Sequence, residues 1–115
     1  MEEHVKISML CQIYGKLLTE KQYEFLDDYY NHDLSLSEIA ENMGITRQAV
    51  RDNIKKGENK LFEFEEKLGI MNKTLRQEKQ ITKILSELTK IQSKFSDKEV
   101  IKIIDNVRKE LKYLN

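Results

Sequence analysis

The segment from Ser35 to Lys60, SLSEIAENMGITRQAVRDNIKKGENK, carries two helix-start signals with a glycine between them. Ser37 predicts the start of a short helix, because its hydroxyl can accept hydrogen bonds from backbone N–H groups that lack an intrahelical partner. Gly44 predicts the end of that helix, since glycine reaches the left-handed conformation without a Cβ clash. Thr46 predicts the cap of a second helix. Two helices joined by so short a turn indicate a helix-turn-helix motif.

The second predicted helix has an apolar side and a polar side. At about 100° per residue, the apolar side carries Val50, Ile54, Gly57 and Leu61. The polar side carries Gln48, Arg51, Asp52, Lys55 and Asn59. From Thr46 to Lys60, five basic residues stand against two acidic ones, a net charge of +3. A solvated helix surface is the simple interpretation of this polar side, and a DNA-reading surface is the functional one.

We predict a nucleic-acid-binding surface on this helix, because Gln can read adenine and Arg can read guanine in a major groove. The residues expected to read bases are Gln48, Arg51, Asp52 and Lys55. Those expected to hold phosphates are Arg47, Lys56 and Lys60. Thr46 is expected to add a backbone contact from the helix N-terminus.

The same part of the chain resembles region 4 of sigma factors. The stretches that carry the resemblance are Leu18–Gln22, Tyr29-Tyr30, Leu34–Glu41 and Gly44–Val50. The resemblance is closer still to the YlxM family, small bacterial helix-turn-helix proteins linked to the signal recognition particle genes. It runs from about Met9 to Ile70, including Glu65–Gly69, and is thinner beyond. It implies an all-helical fold, a regulatory role and a part in the signal recognition particle pathway.

The chain as a whole is predicted to be all-α. It has no proline and only four glycines in 115 residues, so long stretches are free to form helices. Besides the motif, helices are predicted over Val5–Leu18, Glu20 to about Asn31, Thr46–Leu68, Asn72 to about Lys94, and after Ser96-Asp97. We expect a helix-turn-helix (sigma region 4-like) domain over residues 1–70 and a C-terminal helical hairpin over residues 71–115.

The sequence also predicts details within the helices. Thr19 and Gln22 form a capping-box pattern for the second helix. Its apolar stripe is predicted as Tyr23, Leu26 and Tyr30, with Phe25 and Tyr29 on its flank. Gly57 predicts either a close contact between helices or a kink, and Gly69 predicts a left-handed end to the long helix.

The C-terminal hairpin presents broad apolar stripes that two helices cannot bury by themselves. Each stripe must therefore meet the first domain or another copy of the chain. We favour a homodimer, in which two basic helices could reach successive major grooves about 34 Å apart.

Charge is balanced overall, 20 basic against 20 acidic residues, so bulk charge does not drive binding to a polyanion. It is unevenly distributed, however. Residues Thr19–Asn42 carry seven acidic residues and one basic residue, a net charge of −6. Residues Asn72–Asn115 carry eleven basic and six acidic residues, a net charge of +5. Phosphate contacts are thus confined to the basic parts, and the acidic segment favours a basic protein partner.

Several classes of function are disfavoured. Cys11 is the only cysteine and is predicted to be a buried thiol. His4 and His32 have no metal-ligand spacing, and no phosphate loop or nucleophile–base pair is recognisable. We predict no enzyme activity, no cofactor and no metal. Neither a secretory signal nor a membrane-spanning run is present, so a cytoplasmic location is expected.

Three functional hypotheses remain open. The first is a double-stranded DNA-binding regulator. The second is an RNA or ribonucleoprotein accessory of the signal recognition particle, in which Lys73, Arg76 and Lys79 join the basic helix in holding phosphates across a wide shallow groove. The third is a helical adaptor that binds only proteins, through the acidic second helix and the C-terminal hairpin.

Overall fold

The structure is a computed structural model that describes residues 1–114, and in that range it contains helices as its only regular elements. Six α-helices follow one another: α1 (Glu3–Tyr14), α2 (Glu20–Leu26), α3 (Leu36–Met43), α4 (Arg47–Leu68), α5 (Ile70–Lys94) and α6 (Lys98–Lys112). A 3₁₀ turn (Gly15–Leu17) extends α1, and a π-helical turn (Asp27–Asn31) extends α2. The predicted all-α class is confirmed. Asn115, the last residue of the predicted hairpin, lies outside the described residues.

The chain divides into two compact units, Met1–Asn72 and the residues from Lys73 onward. In the first unit, α4 is the central element and packs against α1, α2 and α3. All four helices contribute to the buried core of this unit. The side chains almost completely shielded from solvent are Ile7, Leu10, Tyr14, Leu26, Ile39, Val50 and Leu61. The predicted apolar side of α4 therefore faces this core, which leaves the opposite side free.

The second helix buries only part of the predicted stripe. Its Thr19–Gln22 capping box is present, as expected. Leu26 is buried, as predicted, but Tyr23 is 40% exposed and Phe25, predicted on the flank, is buried instead. The Tyr23 ring lies over Gly15, where an added Cβ would be only 2.8 Å from a ring carbon. Tyr23 thus covers the end of α1 and leaves Phe25 to fill the core.

Gly57 marks a close contact between α4 and α2. A Cβ added at Gly57 would lie 2.8 Å from Cδ1 of Leu26, which is completely buried. Helix α4 continues through this position without a break. Of the two predicted roles of Gly57, the close helix contact is the one observed.

A polar cluster holds the junction of α4 and α5. Gly69 ends α4 in the predicted left-handed conformation (φ 64°). Tyr14 donates its hydroxyl hydrogen to Oε1 of Glu65 (2.6 Å) and accepts from the backbone N–H of Ile70 (3.1 Å). The carboxylate of Glu65 also accepts from the backbone N–H groups of Met71 and Asn72, both at 3.0 Å. Although burial alone would raise the pKa of Glu65, these hydrogen bonds outweigh it and hold the pKa below its ordinary value.

In the second unit, the hydrogen bonds between α5 and α6 indicate an antiparallel pair. Asp97 caps α6 by accepting from the backbone N–H of Glu99 (2.8 Å). Gln92 donates to Asp105 (3.1 Å), and Arg108 donates to Gln92 (3.2 Å) and to Thr89. These bonds cross between the two helices and pair later residues of one with earlier residues of the other. Polar side chains therefore join the helices along one edge.

Candidate nucleic-acid interface

The first helix of the motif begins earlier than predicted. Ser35, not Ser37, is its cap: the Ser35 hydroxyl accepts from the backbone N–H of Glu38 (3.1 Å), and the Glu38 carboxylate accepts from the backbone N–H of Ser35 (3.0 Å). These two bonds form a reciprocal capping box, which satisfies two backbone donors at once and so outcompetes a single cap at Ser37. The backbone N–H of Ser35, and then its hydroxyl, lower the pKa of Glu38.

The turn and the second cap agree with the sequence prediction. Gly44 has φ 67° and ψ 34°, and the backbone N–H of Ile45 returns to the carbonyl of Ala40 (3.1 Å). The Thr46 hydroxyl accepts from the backbone N–H of Ala49 (3.1 Å), which starts α4. Because that bond uses an oxygen lone pair, the hydroxyl hydrogen of Thr46 can still be donated to a ligand.

The eight candidate residues of the second helix are all exposed, whereas Val50, Ile54, Gly57 and Leu61 are buried. The candidates do not form one narrow face. At about 100° per residue, the seven candidates within α4 cover an arc of about 220°, from Arg47 on one side to Lys60 on the other. Arg47 and Lys60 are also about 20 Å apart along the axis. A single groove would therefore be contacted mainly by the residues in the first half of the helix.

That first half borders a shallow surface groove. Arg47, Gln48 and Arg51 surround a hollow closed by Leu36 of α3. Arg51 and Lys55 also line an adjoining hollow of about 350 Å³, together with Tyr29, Tyr30, Leu36, Ile54 and Glu58. The structure thus brings Arg47, Gln48, Arg51 and Lys55 to one concave surface. Lys56 and Lys60 lie outside both hollows.

The far wall of the groove was not foreseen from the sequence. Tyr30 donates a hydrogen bond to the Glu58 carboxylate of α4, and Tyr29 meets the Tyr30 ring edge-on at 5.0 Å between centroids. Burial, followed by the hydrogen bond to Glu58, raises the pKa of Tyr30 far above its ordinary value. The phenol is therefore neutral at physiological pH. No local sequence signal marks the π-helical turn that carries the two tyrosines.

Three candidate residues already have side-chain partners on their own helix. The Gln48 amide donates to the Asp52 carboxylate (3.0 Å), which fixes the Gln48 side chain at the centre of the exposed side. Lys60 pairs with Glu63 (3.7 Å) and lies 5.8 Å from the centroid of the Phe64 ring. Such an exposed pair is weak, so Lys60 could exchange it for a phosphate.

Within residues 1–114, no three His, Cys, Asp or Glu side chains come together as metal ligands. Over the same range, no helix has both the length and the apolar character needed to cross a bilayer.

Comparison with known proteins gives a consistent match over nearly the whole chain. The family model of YlxM/p13-like helix-turn-helix proteins, designated UPF0122, matches residues 1–107. The UPF0122 protein of Acetivibrio thermocellus is 40% identical over 111 residues, 96% of this chain and 95% of that one. The UPF0122 protein FN1394 of Fusobacterium nucleatum is 43% identical over 107 residues, 93% and 97% of the two chains. That of Clostridium botulinum is 46% identical over 101 residues, 88% and 92%.

Proposed function

The chain belongs to the YlxM/p13-like helix-turn-helix family, and from this membership and the geometry of α4 we propose that it is a DNA-binding regulatory protein. Helix α4 enters a major groove with its N-terminal half, as recognition helices of this motif do. The protein has a binding role and no catalytic one. Residues 1–70 serve as the DNA-binding part and residues 71–115 as a packing or dimerisation element. The likeness to sigma region 4 is a further part of this proposal.

The observation that carries the proposal is the exposed basic surface of the first three turns of α4. Arg47, Arg51 and Lys55 are exposed, and at about 100° per residue they follow one another along one flank of α4, beside its buried stripe. They border the groove beside Leu36, where the first helix of the motif meets the second. Arg51 is the residue best placed to read guanine, since its planar group can donate two hydrogen bonds to one base.

Asp52 has a positioning role in this scheme. It accepts one hydrogen of the Gln48 amide (3.0 Å), which leaves the second hydrogen and the amide oxygen for an adenine edge. A side chain already held in one geometry loses less conformational entropy on binding. Lys56 and Lys60, further round the helix, hold phosphates on the flank of the groove.

We propose further that the protein acts in the cytoplasm and as a homodimer, so that two copies of α4 address half-sites one helical turn apart, about 34 Å. Its link to the signal recognition particle pathway rests on family resemblance. Structured RNA is the alternative ligand, and the experiment below separates it from DNA.

The test is parallel titration of a random-sequence duplex DNA pool, the selected best duplex, and a structured RNA, each at two salt concentrations. Duplex binding should weaken steeply with salt, by about 0.9 in log–log slope per phosphate contact. Arg51→Ala should lower the affinity for the selected duplex by about 10- to 100-fold and hardly change the affinity for the random pool. Lys56→Ala should lower the affinity for both DNAs equally and reduce the salt slope by about 1.

Lys21→Ala is the matched control, because it removes one positive charge from an exposed position of α2, away from the groove. It should bind like the parent. If Arg51→Ala and Lys56→Ala also bind like the parent, the proposed surface is wrong. If the parent binds RNA through these residues and does not bind duplex DNA, the DNA assignment is overturned.

A further inference from the structure

The second unit exposes many of its apolar side chains. Among the described residues from Lys73 onward, Ile81 and Ile104 are buried. Ile84, Ile91, Phe95, Ile103, Val107 and Leu114 are each more than a third exposed, and Leu114 reaches 68%. Ile103, Val107, Leu111 and Leu114 line an open groove of about 410 Å³. Helix α6 is strongly amphipathic. Its apolar stripe is only partly turned toward α5, because Ile104 is buried whereas Ile103 and Val107 are exposed.

The exposed apolar residues of both helices lie on one face of the hairpin. Gln92 of α5 and Arg108 of α6 contact each other across the pair (3.2 Å). Ile91 immediately precedes Gln92, and Val107 immediately precedes Arg108, so each lies about 100° back round its own helix. Because the helices are antiparallel, one step back along each chain from the Gln92–Arg108 contact reaches the same face of the hairpin. Ile91 and Val107 therefore lie on the same face. The opposite edge is the one joined by polar hydrogen bonds.

This face is as large as the largest apolar patches that monomeric proteins usually expose. Six large side chains that are 38% to 68% exposed present several hundred Å² of contiguous apolar area. A standard stable interface buries about 800 Å² on each partner. The face is thus of the size that two copies of the chain would need to cover one another.

The charges at the two edges of the face are of opposite sign. At about 100° per residue, the outer edge of α5 carries Lys83 and Lys94, and the outer edge of α6 carries Glu99 and Glu110. Glu87, also on the α5 edge, is paired with Lys90 (3.4 Å). A surface with one basic and one acidic edge matches its own copy when the two are related by a twofold axis parallel to the helices.

We propose that this face binds the same face of a second copy, with α5 of one protomer stacked on α6 of its partner, to form an antiparallel four-helix bundle. In that arrangement each basic edge meets an acidic edge. Stacking α5 on α5 would instead bring like charges together, which disfavours it. A two-helix hairpin with one wide apolar face is half of such a bundle. The inference rests on the homodimer in the proposed function and names the surface that forms it.

The first test compares two variants that change the net charge by the same amount. Ile103→Glu combined with Val107→Glu places two charges on the apolar face, whereas Lys102→Glu changes charge equally on the solvent side of α6. By light scattering at tens of micromolar, the parent and Lys102→Glu should show twice the 13.7 kDa chain mass. The double variant should be a monomer, with its dissociation constant raised at least about 100-fold. Ile91→Glu, on α5, should weaken the dimer independently.

Far-UV circular dichroism should show equal helix content in all variants, because the replaced residues are exposed. A monomeric parent overturns the proposal, and so does a double variant that dimerises like the parent. DNA binding, measured separately, distinguishes this failure from that of the proposed function. A monomeric parent that still binds duplex DNA with a steep salt dependence would leave the DNA assignment in place.

The second test concerns the stacking. Glu99→Lys with Glu110→Lys should weaken the dimer by about 10-fold, since the edges then repel. Adding Lys83→Glu and Lys94→Glu should restore it. If the variant with all four substitutions dimerises as weakly as the variant with two, α5 does not stack on α6 of the partner.

Discussion

The side chain of Glu65 links α4 to both α1 and α5. It accepts hydrogen bonds from the Tyr14 hydroxyl and from the backbone N–H groups of Met71 and Asn72. The last two belong to the first turn of α5, where backbone donors have no partner within the helix. One carboxylate thus fastens α1, the end of α4 and the start of α5 to each other.

We predict that Glu65→Gln lowers the free energy of unfolding by about 1–3 kcal/mol at neutral pH, because an amide is a weaker acceptor than a carboxylate. The folded-state pKa of Glu65 is below its unfolded value. Its stabilisation is therefore present above about pH 4.3 and is lost as pH falls through the folded-state pKa. Urea unfolding should show a larger difference in stability between parent and variant at pH 7 than at pH 3.

Glu66→Gln provides the control, since Glu66 is the exposed neighbour. It should change stability by less than about 0.5 kcal/mol at either pH. An equal effect of the two substitutions would mean that the contacts of Glu65 do not stabilise the junction.

Residues whose roles depend on local conformation could be predicted from the sequence. Gly44, Thr46 and Gly69 each act within one turn of the chain, so residue type and spacing were enough. The partnership of Tyr14 with Glu65 spans 51 positions. Nothing in either neighbourhood marks it, because it exists only once α1 has packed on α4.

At the scale of helices, the contact between α2 and α4 depends on Gly57. Alanine in a helix interior is normally more stable than glycine by about 1 kcal/mol. At this position its methyl carbon would lie 2.8 Å from a buried Leu26 side chain that has little room to move. We predict that Gly57→Ala lowers the free energy of unfolding by about 1–3 kcal/mol in spite of the better helix propensity. Chemical denaturation would measure it.

Gly44→Ala separates this packing effect from a backbone effect. An added Cβ at Gly44 meets no atom within 4 Å, so its cost comes only from the left-handed conformation, about 1–2 kcal/mol. Combining Gly57→Ala with Leu26→Ala should cost less than the sum of the two single substitutions, whereas Gly44→Ala with Leu26→Ala should be additive. Additivity in both pairs would show that the close approach of α2 and α4 is not the cause.

The helices were easier to predict than the side chains they bury. Their order and most of their limits follow from caps, glycines and apolar spacing. The π-helical turn does not, and neither does the exchange of Tyr23 for Phe25 in the core. Both sets of apolar residues in α2 fit a helical period, and the choice between them depends on Gly15 leaving room for the Tyr23 ring.

The candidate interface shows the same limit. The exposed side of α4 could be predicted residue by residue, since it is the complement of the apolar side. The second wall of the groove could not, because Tyr29 and Leu36 reach it only through the packing of the π-helical turn and α3.

At the scale of the whole molecule, the buried core of the first unit is self-sufficient. The largest side chains with less than 2% of their surface exposed all lie before Asn72, and the contacts of Glu65 extend no further than the backbone of Asn72. We predict that a fragment of residues 1–72 folds and unfolds cooperatively, as thermal circular dichroism would show. A fragment ending at Leu68 lacks the two backbone groups that Glu65 holds, so its melting temperature should be lower. A gradual, non-cooperative melt of the longer fragment would contradict the prediction.

Cys11 gives the chain a reporter of its own motions. The thiol is buried in α1, and burial, reinforced by the charges of Asp27 and Glu58, raises the pKa of Cys11 to about 11. Thiol reagents attack the ionised form, which is scarce at neutral pH even before access is considered. The rate at which such a reagent labels the native chain therefore reports how often α1 opens away from its neighbours. No engineered probe is needed, and Cys11 is the only cysteine in the sequence, so the signal has a single source.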